Sequence, residues 1–359
     1  MPAELCHIKA EDLAAFSAAL LAAAGVPPGD ADVMAEGLVL ANLRGVDSHG
    51  VSRLPAYLAA FASGSIGKVS EWRVVSETTS SLVVDAGNSI GSVVGIQIMD
   101  ALMEKAASTG IVVATVRNST HFGMAAHPAM HALRRDMIGF AVSNSAPAMA
   151  PWGGVEAFTG TNPLCCAIPA GEAPPVVLDM ATSVAAKGKI IMALAETGTI
   201  PEGWALDRRG LPTTDAGEAM AGTVMPVGGA KGWGISLLID IISSALSGGA
   251  FGPHVNNLYQ AHGKPLNICH TFGVVNPGLF VPIERFRQHV DAMVREVKSG
   301  PRAPGVEEIL LPGEKEFNTE QARRRRGIPL PPHVFAELMH KAAEHGLAAD
   351  LPVRREGPR

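Results

Sequence analysis

The sequence lacks the marks of several large functional classes, and each absence narrows the reading. Cysteine is scarce: Cys6, Cys165, Cys166 and Cys269 are the only 4 in 359 residues. They lack zinc-site spacing, and the start of the chain has no secretory pattern. A reducing, cytoplasmic setting is expected. Long apolar runs are missing too. Residues 235–242 include Asp240 and run on into Ser243 and Ser244, too short and too polar for a membrane span. Positive charge is not in excess. There are 29 basic and 34 acidic residues, a formal net charge of -5, so nucleic acid has no general electrostatic attraction. The basic run 323–326 reads as a solvated or interface face.

Catalytic and nucleotide-binding fingerprints are also missing. No GxGxxG follows a strand, and there is no GxxxxGK[ST]. No GxSxG marks a hydrolase nucleophile, and adjacent Ser48 and His49 are poorly placed as a nucleophile and its base. His127 and His131 have helical spacing but no HExxH acid between them, and Asp136 is a poor third ligand. No metal site is expected.

What remains is a compact globular composition, 47% hydrophobic and 18% charged, long enough for two domains. Helical patterns cover 11–24, 30–43 with Asp30 as cap, and a short helix after a Ser52 cap, with Pro55 in its first turn. The texture then alternates. Strands are predicted at 81–85, 111–116, 138–143, 165–168, 176–180 and 271–275. Helices are predicted at 93–107, 126–135, 183–196, 282–297 and 332–345. Residues 235–246 are apolar almost all round and read as a central helix; the tail from Asp350 reads as frayed. The alternation indicates an α/β protein without fixing strand direction. The expected arrangement is an α/β domain, 76–280, inserted into a mainly helical domain built from 1–75 and 281–359.

Chemical capacity concentrates in 44–57, with Arg44, Asp47, Ser48, His49, Arg53 and Tyr57 between two helical patterns. It reads either as a capped helix–loop–helix or as an anion-binding and proton-transfer site. Arg53 and Tyr57 are one helical turn apart. A second cluster, Asn118, Ser119, Thr120 and His121, follows the strand 111–116, where ligand sites form. His121 alone reads as a surface-loop histidine able to titrate near neutral pH. Two such loops favour a shared cleft. Anion stations are expected at Lys231–Gly232, a helix start, and at 179–183, read as a strand end leading into a helix; Gly313 and Glu314 offer loop contacts.

Taken together, RGVDSHG with RLPAY, NSTHFG, GTNP, DMATS, PEGWALD, KGWG and PGE run in order along nearly the whole chain. In this the chain resembles the malate/L-lactate dehydrogenase family outside the Rossmann superfamily, the group with ureidoglycolate, L-sulfolactate and 2,3-diketo-L-gulonate oxidoreductases and cyclic-imine reductases. The resemblance implies a non-Rossmann NAD(P)-binding domain with a mixed or largely antiparallel sheet, a homodimer, and NAD or NADP as cofactor. It implies a small carboxylate-bearing substrate, a 2-hydroxy or 2-oxo acid. Ureidoglycolate oxidation and cyclic-imine reduction are the alternatives, and a non-catalytic ligand-binding homologue is a more distant one. It further implies that His121 is the acid/base and that His49 and Arg53 line the substrate site. Tyr57 then orients substrate or His49, and Ser48 braces the loop. Asp179, Met180, Ala181, Lys231 and Gly232 are implied to contact cofactor, with Asn144, Ser145, Gly313 and Glu314 as neighbours.

Overall fold

A seven-stranded sheet frames the molecule in a computed structural model that describes residues 5–347 and 351–354. The strands lie in the order Arg73–Glu77, Ser81–Asp85, Ile111–Ser119, Ile268–Val275, Ile138–Ser143, Leu164–Ile168 and Val176–Met180. Ser81–Asp85 and Ile111–Ser119 run parallel because the helix Gly91–Thr109 carries the chain back between them. The other neighbouring pairs are antiparallel, so the sheet is mixed.

One face buries Val84, Val112, Ala114, Ala141, Ala167 and Phe272 beneath Gly91–Thr109 and the helix Ala126–His131. Gly139 permits that approach: a Cβ there would lie 2.1 Å from the Ala129 carbonyl oxygen. On the opposite face Val113, Gly273, Phe140, Cys166 and Leu178 form one cross-strand row. Val113, Phe140 and Leu178 remain exposed.

The two chain ends meet. Strand Cys6–Ile8 pairs antiparallel with Ile328–Leu330 and with Val353–Arg354. Helices Ala10–Ala23, Pro28–Leu43, Leu54–Ser63 and Pro332–Glu344 share a core with these strands through Leu13, Leu20, Leu54, Leu58, Ile328 and Leu338. The expected frayed tail is therefore corrected at 353–354; Asp350 and 355–359 lie outside the described residues.

Other expectations change as well. Asp30 caps no helix; its carboxylate accepts the Ser70 N–H at 3.1 Å. Ser52 donates to the Asp47 carbonyl at 2.9 Å and sits in a 3-10 turn. The helix expected over 183–196 begins only at Lys187. The stretch read as a central helix is Ala230–Asp240, passing into one π-helical turn, Ile241–Ala245. It is not enclosed: Ile235, Leu238, Ile241 and Leu246 are exposed, while Ser236, Asp240, Ser243 and Ser244 face inward.

A helix that the sequence pattern did not reveal, Glu314–Arg326, ties sheet to arm. Its Gly313 cap (φ 83°) lies against Val177, whose N–H donates to Pro312 at 3.0 Å. At the other end Arg323 grips both Asp47 oxygens, at 2.6 and 3.0 Å.

Candidate active site

The arm at 44–57 owes its path to Asn42. Asn42 donates to Asp47 at 2.7 Å and accepts the Val51 N–H at 2.8 Å. Gly50 must be glycine, since a Cβ would fall 2.2 Å from the Asn42 oxygen. Two 3-10 turns, Asp47–His49 and Val51–Arg53, lead into the helix Leu54–Ser63, with Pro55 in its first turn where no N–H is needed. Arg53 Nε donates to the Ser48 carbonyl at 2.6 Å, and Nη1 donates to the Tyr259 hydroxyl. Ser48 Oγ lies 3.0 Å from His49 Nδ1, so it braces the loop.

The second loop is fixed from beneath. Asn118, in the left-handed region at φ 53°, donates to Asp85 at 3.0 Å. Thr120 Oγ1 donates to the Ser89 carbonyl and accepts the Gly91 N–H, both at 2.9 Å. Buried His270 reaches Ser143 and Ser119 at 2.9 Å each and stacks on Phe122 at 4.6 Å. Sequence reasoning passed over His270, which sits inside an apolar strand without a motif of its own.

The two loops meet directly. Tyr57 Oη lies 2.6 Å from His121 Nδ1, and the Gly123 N–H points at the same nitrogen from 3.3 Å. The His49 and His121 rings stack with centroids 5.7 Å apart. With Nδ1 engaged, Nε2 is the nitrogen left for a ligand. Both histidines keep partial solvent access, but protein surrounds them on the remaining sides, as on the floor of a cleft.

Burial, then the Arg53 cation, lowers the His49 pKa to about 4. Burial also holds His121 well below its ordinary value, with Arg53, His49 and His270 adding in that order. The expected titration of His121 near neutral pH is thus corrected for the ligand-free cleft: the ring is neutral. Burial raises the Tyr57 phenol, so it stays protonated.

The remaining sequence-derived candidates surround buried Asn162. Its side chain accepts the Ser145 N–H at 3.0 Å and donates to the Ser236 carbonyl at 2.9 Å. Its carbonyl accepts Thr182 Oγ1 at 3.2 Å. Val227 donates to the Thr182 carbonyl at 2.9 Å, bringing the end of the strand carrying Asp179, Met180 and Ala181 beside the helix start at 230–232. There Lys231 is exposed, and Gly232 is packed so tightly that a Cβ would lie 1.9 Å from the Val227 oxygen. Asp179 accepts the Ala126 N–H at 2.9 Å, linking this strand to the His121 loop; burial raises its carboxyl to about 6.

Some candidates are diverted. No helix starts at 183, so 179–183 is not a helix N-terminus. Asn144 is committed to Asp240, Ala250 and Cys269 at 2.8 to 2.9 Å, leaving a bracing role. Glu314 is taken by the Leu311 N–H and Lys298. His131 pairs with Asp100 at 2.7 Å, and His127 packs against Gly37.

A family model described as malate/L-lactate dehydrogenase matches residues 8–339. Malate dehydrogenase of Pyrococcus horikoshii is 39% identical over 349 residues, covering 95% of this chain and 96% of that protein. Ureidoglycolate dehydrogenase (NAD(+)) of Escherichia coli K12 is 32% identical over 322 residues, covering 90% and 92%. The solved structure of sulfolactate dehydrogenase from Methanocaldococcus jannaschii superposes with a TM-score of 0.89 at 36% identity, covering 95% of this chain and 98% of that one.

The electrostatics are testable by histidine NMR titration. His49 is expected to titrate near pH 4, and Arg53→Gln to move it upward by removing the second cause of the depression. A wild-type His49 titrating at its ordinary value would contradict the cleft as described.

Proposed function

Because the chain belongs to the malate/L-lactate dehydrogenase family, we propose that it moves hydride between a nicotinamide dinucleotide, NAD or NADP, and a small 2-hydroxy acid or its 2-oxo acid. One observation carries the reading: the 2.6 Å contact of Tyr57 with His121, beside Arg53, sets a proton-transferring imidazole next to a carboxylate clamp. A non-catalytic homologue would have no need of this arrangement.

The roles follow from the chemistry. Arg53 supplies planar N–H donors for the substrate carboxylate. In oxidation the neutral His121 ring acts with its own proton on Nδ1, donated to Tyr57 Oη in place of the Gly123 contact, and takes the hydroxyl proton on the bare Nε2. The arriving carboxylate offsets the Arg53 cation. That raises the His121 pKa as a proton has to be accepted. In reduction the protonated ring returns the proton to the developing alkoxide. His49, stacked on His121, hydrogen-bonds substrate.

The donor set fits a dinucleotide. The start of the helix Ala230–Asp240 has free N–H groups and exposed Lys231, suited to an anionic diphosphate. Ser145 and the 179–181 strand end adjoin it, with Gly313 packed on the same strand at Val177. When bound, the nicotinamide supplies or takes up the hydride.

The helical portions 1–75 and 281–359 form the substrate-side domain in this reading and 76–280 the cofactor domain, apart from the loop at 255–268, whose Val255, Ala261 and Leu266 are buried in the helical core. A homodimer is supported by the exposed Ile235, Leu238, Ile241 and Leu246, since single-chain surfaces seldom leave such a stripe uncovered. Four free thiols fit a cytoplasmic setting. Among the described residues no helix is long and apolar enough to cross a membrane.

Nicotinamide absorbance with pyruvate, oxaloacetate, a ureidoglycolate-type acid and a cyclic imine acid separates the substrate classes. With the active acid, His121→Ala is expected to lower kcat/KM by about 10²- to 10⁴-fold. Arg53→Ala is expected to act mainly by raising KM, with cofactor binding intact in both variants. Near-normal kcat/KM in either would remove that residue from its role. Leu238→Glu is expected to turn a dimer into a monomer in sedimentation; a monomeric wild type would end the dimer proposal.

A further inference from the structure

Tyrosine occurs only 2 times in the chain, and both copies stand at this cleft. Tyr57 is buried and engaged with His121. Tyr259 is 60% exposed, belongs to none of the motifs above, and accepts a hydrogen bond from Arg53 Nη1. The guanidinium carbon lies 5.2 Å from its ring centroid.

A large exposed aromatic usually contributes nothing to a core, so its placement needs another cause. The loop beneath it is built with care. Asn256 donates its N–H to Leu266 at 2.9 Å and its side-chain amide to Pro265 at 2.7 Å, closing the loop at its base. The Tyr259 N–H donates to Asn257 at 2.8 Å. Gly263 donates to Ser65 Oγ at 2.9 Å, just past the helix that carries Tyr57. Val255, Ala261 and Leu266 are buried in the same core as Leu54 and Leu58. Tyr259 and Arg53 therefore hang from one body, and their spacing is set before any ligand arrives.

From this geometry we propose that Tyr259 is a substrate-contacting residue that completes the carboxylate clamp, an inference resting on the 2-oxo acid reading above. Its Oη accepts from Arg53, so the phenolic hydrogen is free to donate to a carboxylate oxygen held by the guanidinium. Its ring covers part of the guanidinium and shields it from water, which strengthens the charge-assisted bond. Because the pair is fixed in advance, little ordering is needed on binding.

The test is a binding titration with oxamate, an inert planar 2-oxo acid mimic, in the presence of NADH. Tyr259→Phe keeps the ring and removes only the hydroxyl. Loss of a hydrogen bond to a charged group is expected to raise the oxamate Kd about tenfold or more. The NADH Kd is expected to stay unchanged. An unchanged oxamate Kd overturns the proposal, as does an equal weakening of oxamate and NADH. Failure of the wild type to bind oxamate at all sinks the 2-oxo acid reading and this proposal with it, a result distinct from wild-type binding that the variant retains.

Discussion

The hydrogen bond between Tyr57 and His121, 2.6 Å long across 64 residues of sequence, is the contact on which the site depends. It joins an arm of the helical portion to a loop at the end of a sheet strand. Each side is fixed separately. Asn42 and Arg323 hold the arm through Asp47. Thr120 and His270 hold the loop through Ser89, Gly91 and Ser119. Tyr57 then sets which imidazole nitrogen faces inward. The helix Glu314–Arg326 keeps the two sides in step, since it packs on Val177 at one end and grips Asp47 at the other.

Charge is managed by keeping histidines neutral. Burial lowers His49 and His127 to about 4 and His270 to about 3, and holds His121 low as well. In the unfolded chain such groups take up protons near pH 6.5. Below that value the unfolded state binds more protons than the fold, so these residues make stability rise with pH and fall on acidification. The same depression prepares His121 to accept a proton.

Much of the framework was legible in the sequence. The strands Ile138–Ser143 and Val176–Met180 stand out through β-branched and apolar runs, and Pro332–Glu344 through its apolar stripe. The helix Glu314–Arg326 was not legible, because it buries no side chain and so has no stripe to read. The stretch 235–246 misled because an all-round apolar pattern reads as enclosure; here its small and polar positions face inward and its leucine and isoleucines outward. His49, Arg53, Tyr57 and His121 were legible as chemistry and as two loops sharing a cleft, but the direct contact of Tyr57 with His121 was not. Tyr259 was invisible: its loop has no periodicity, and its partner Arg53 lies 206 residues away.

The most direct test of the coupled cleft is a double-mutant cycle on kcat/KM with Tyr57→Phe and His121→Gln. If the two residues act as one unit, Tyr57→Phe alone is expected to cost about tenfold or more, and little further once His121 is already replaced. Fully additive losses would show that the two act independently and would contradict the account.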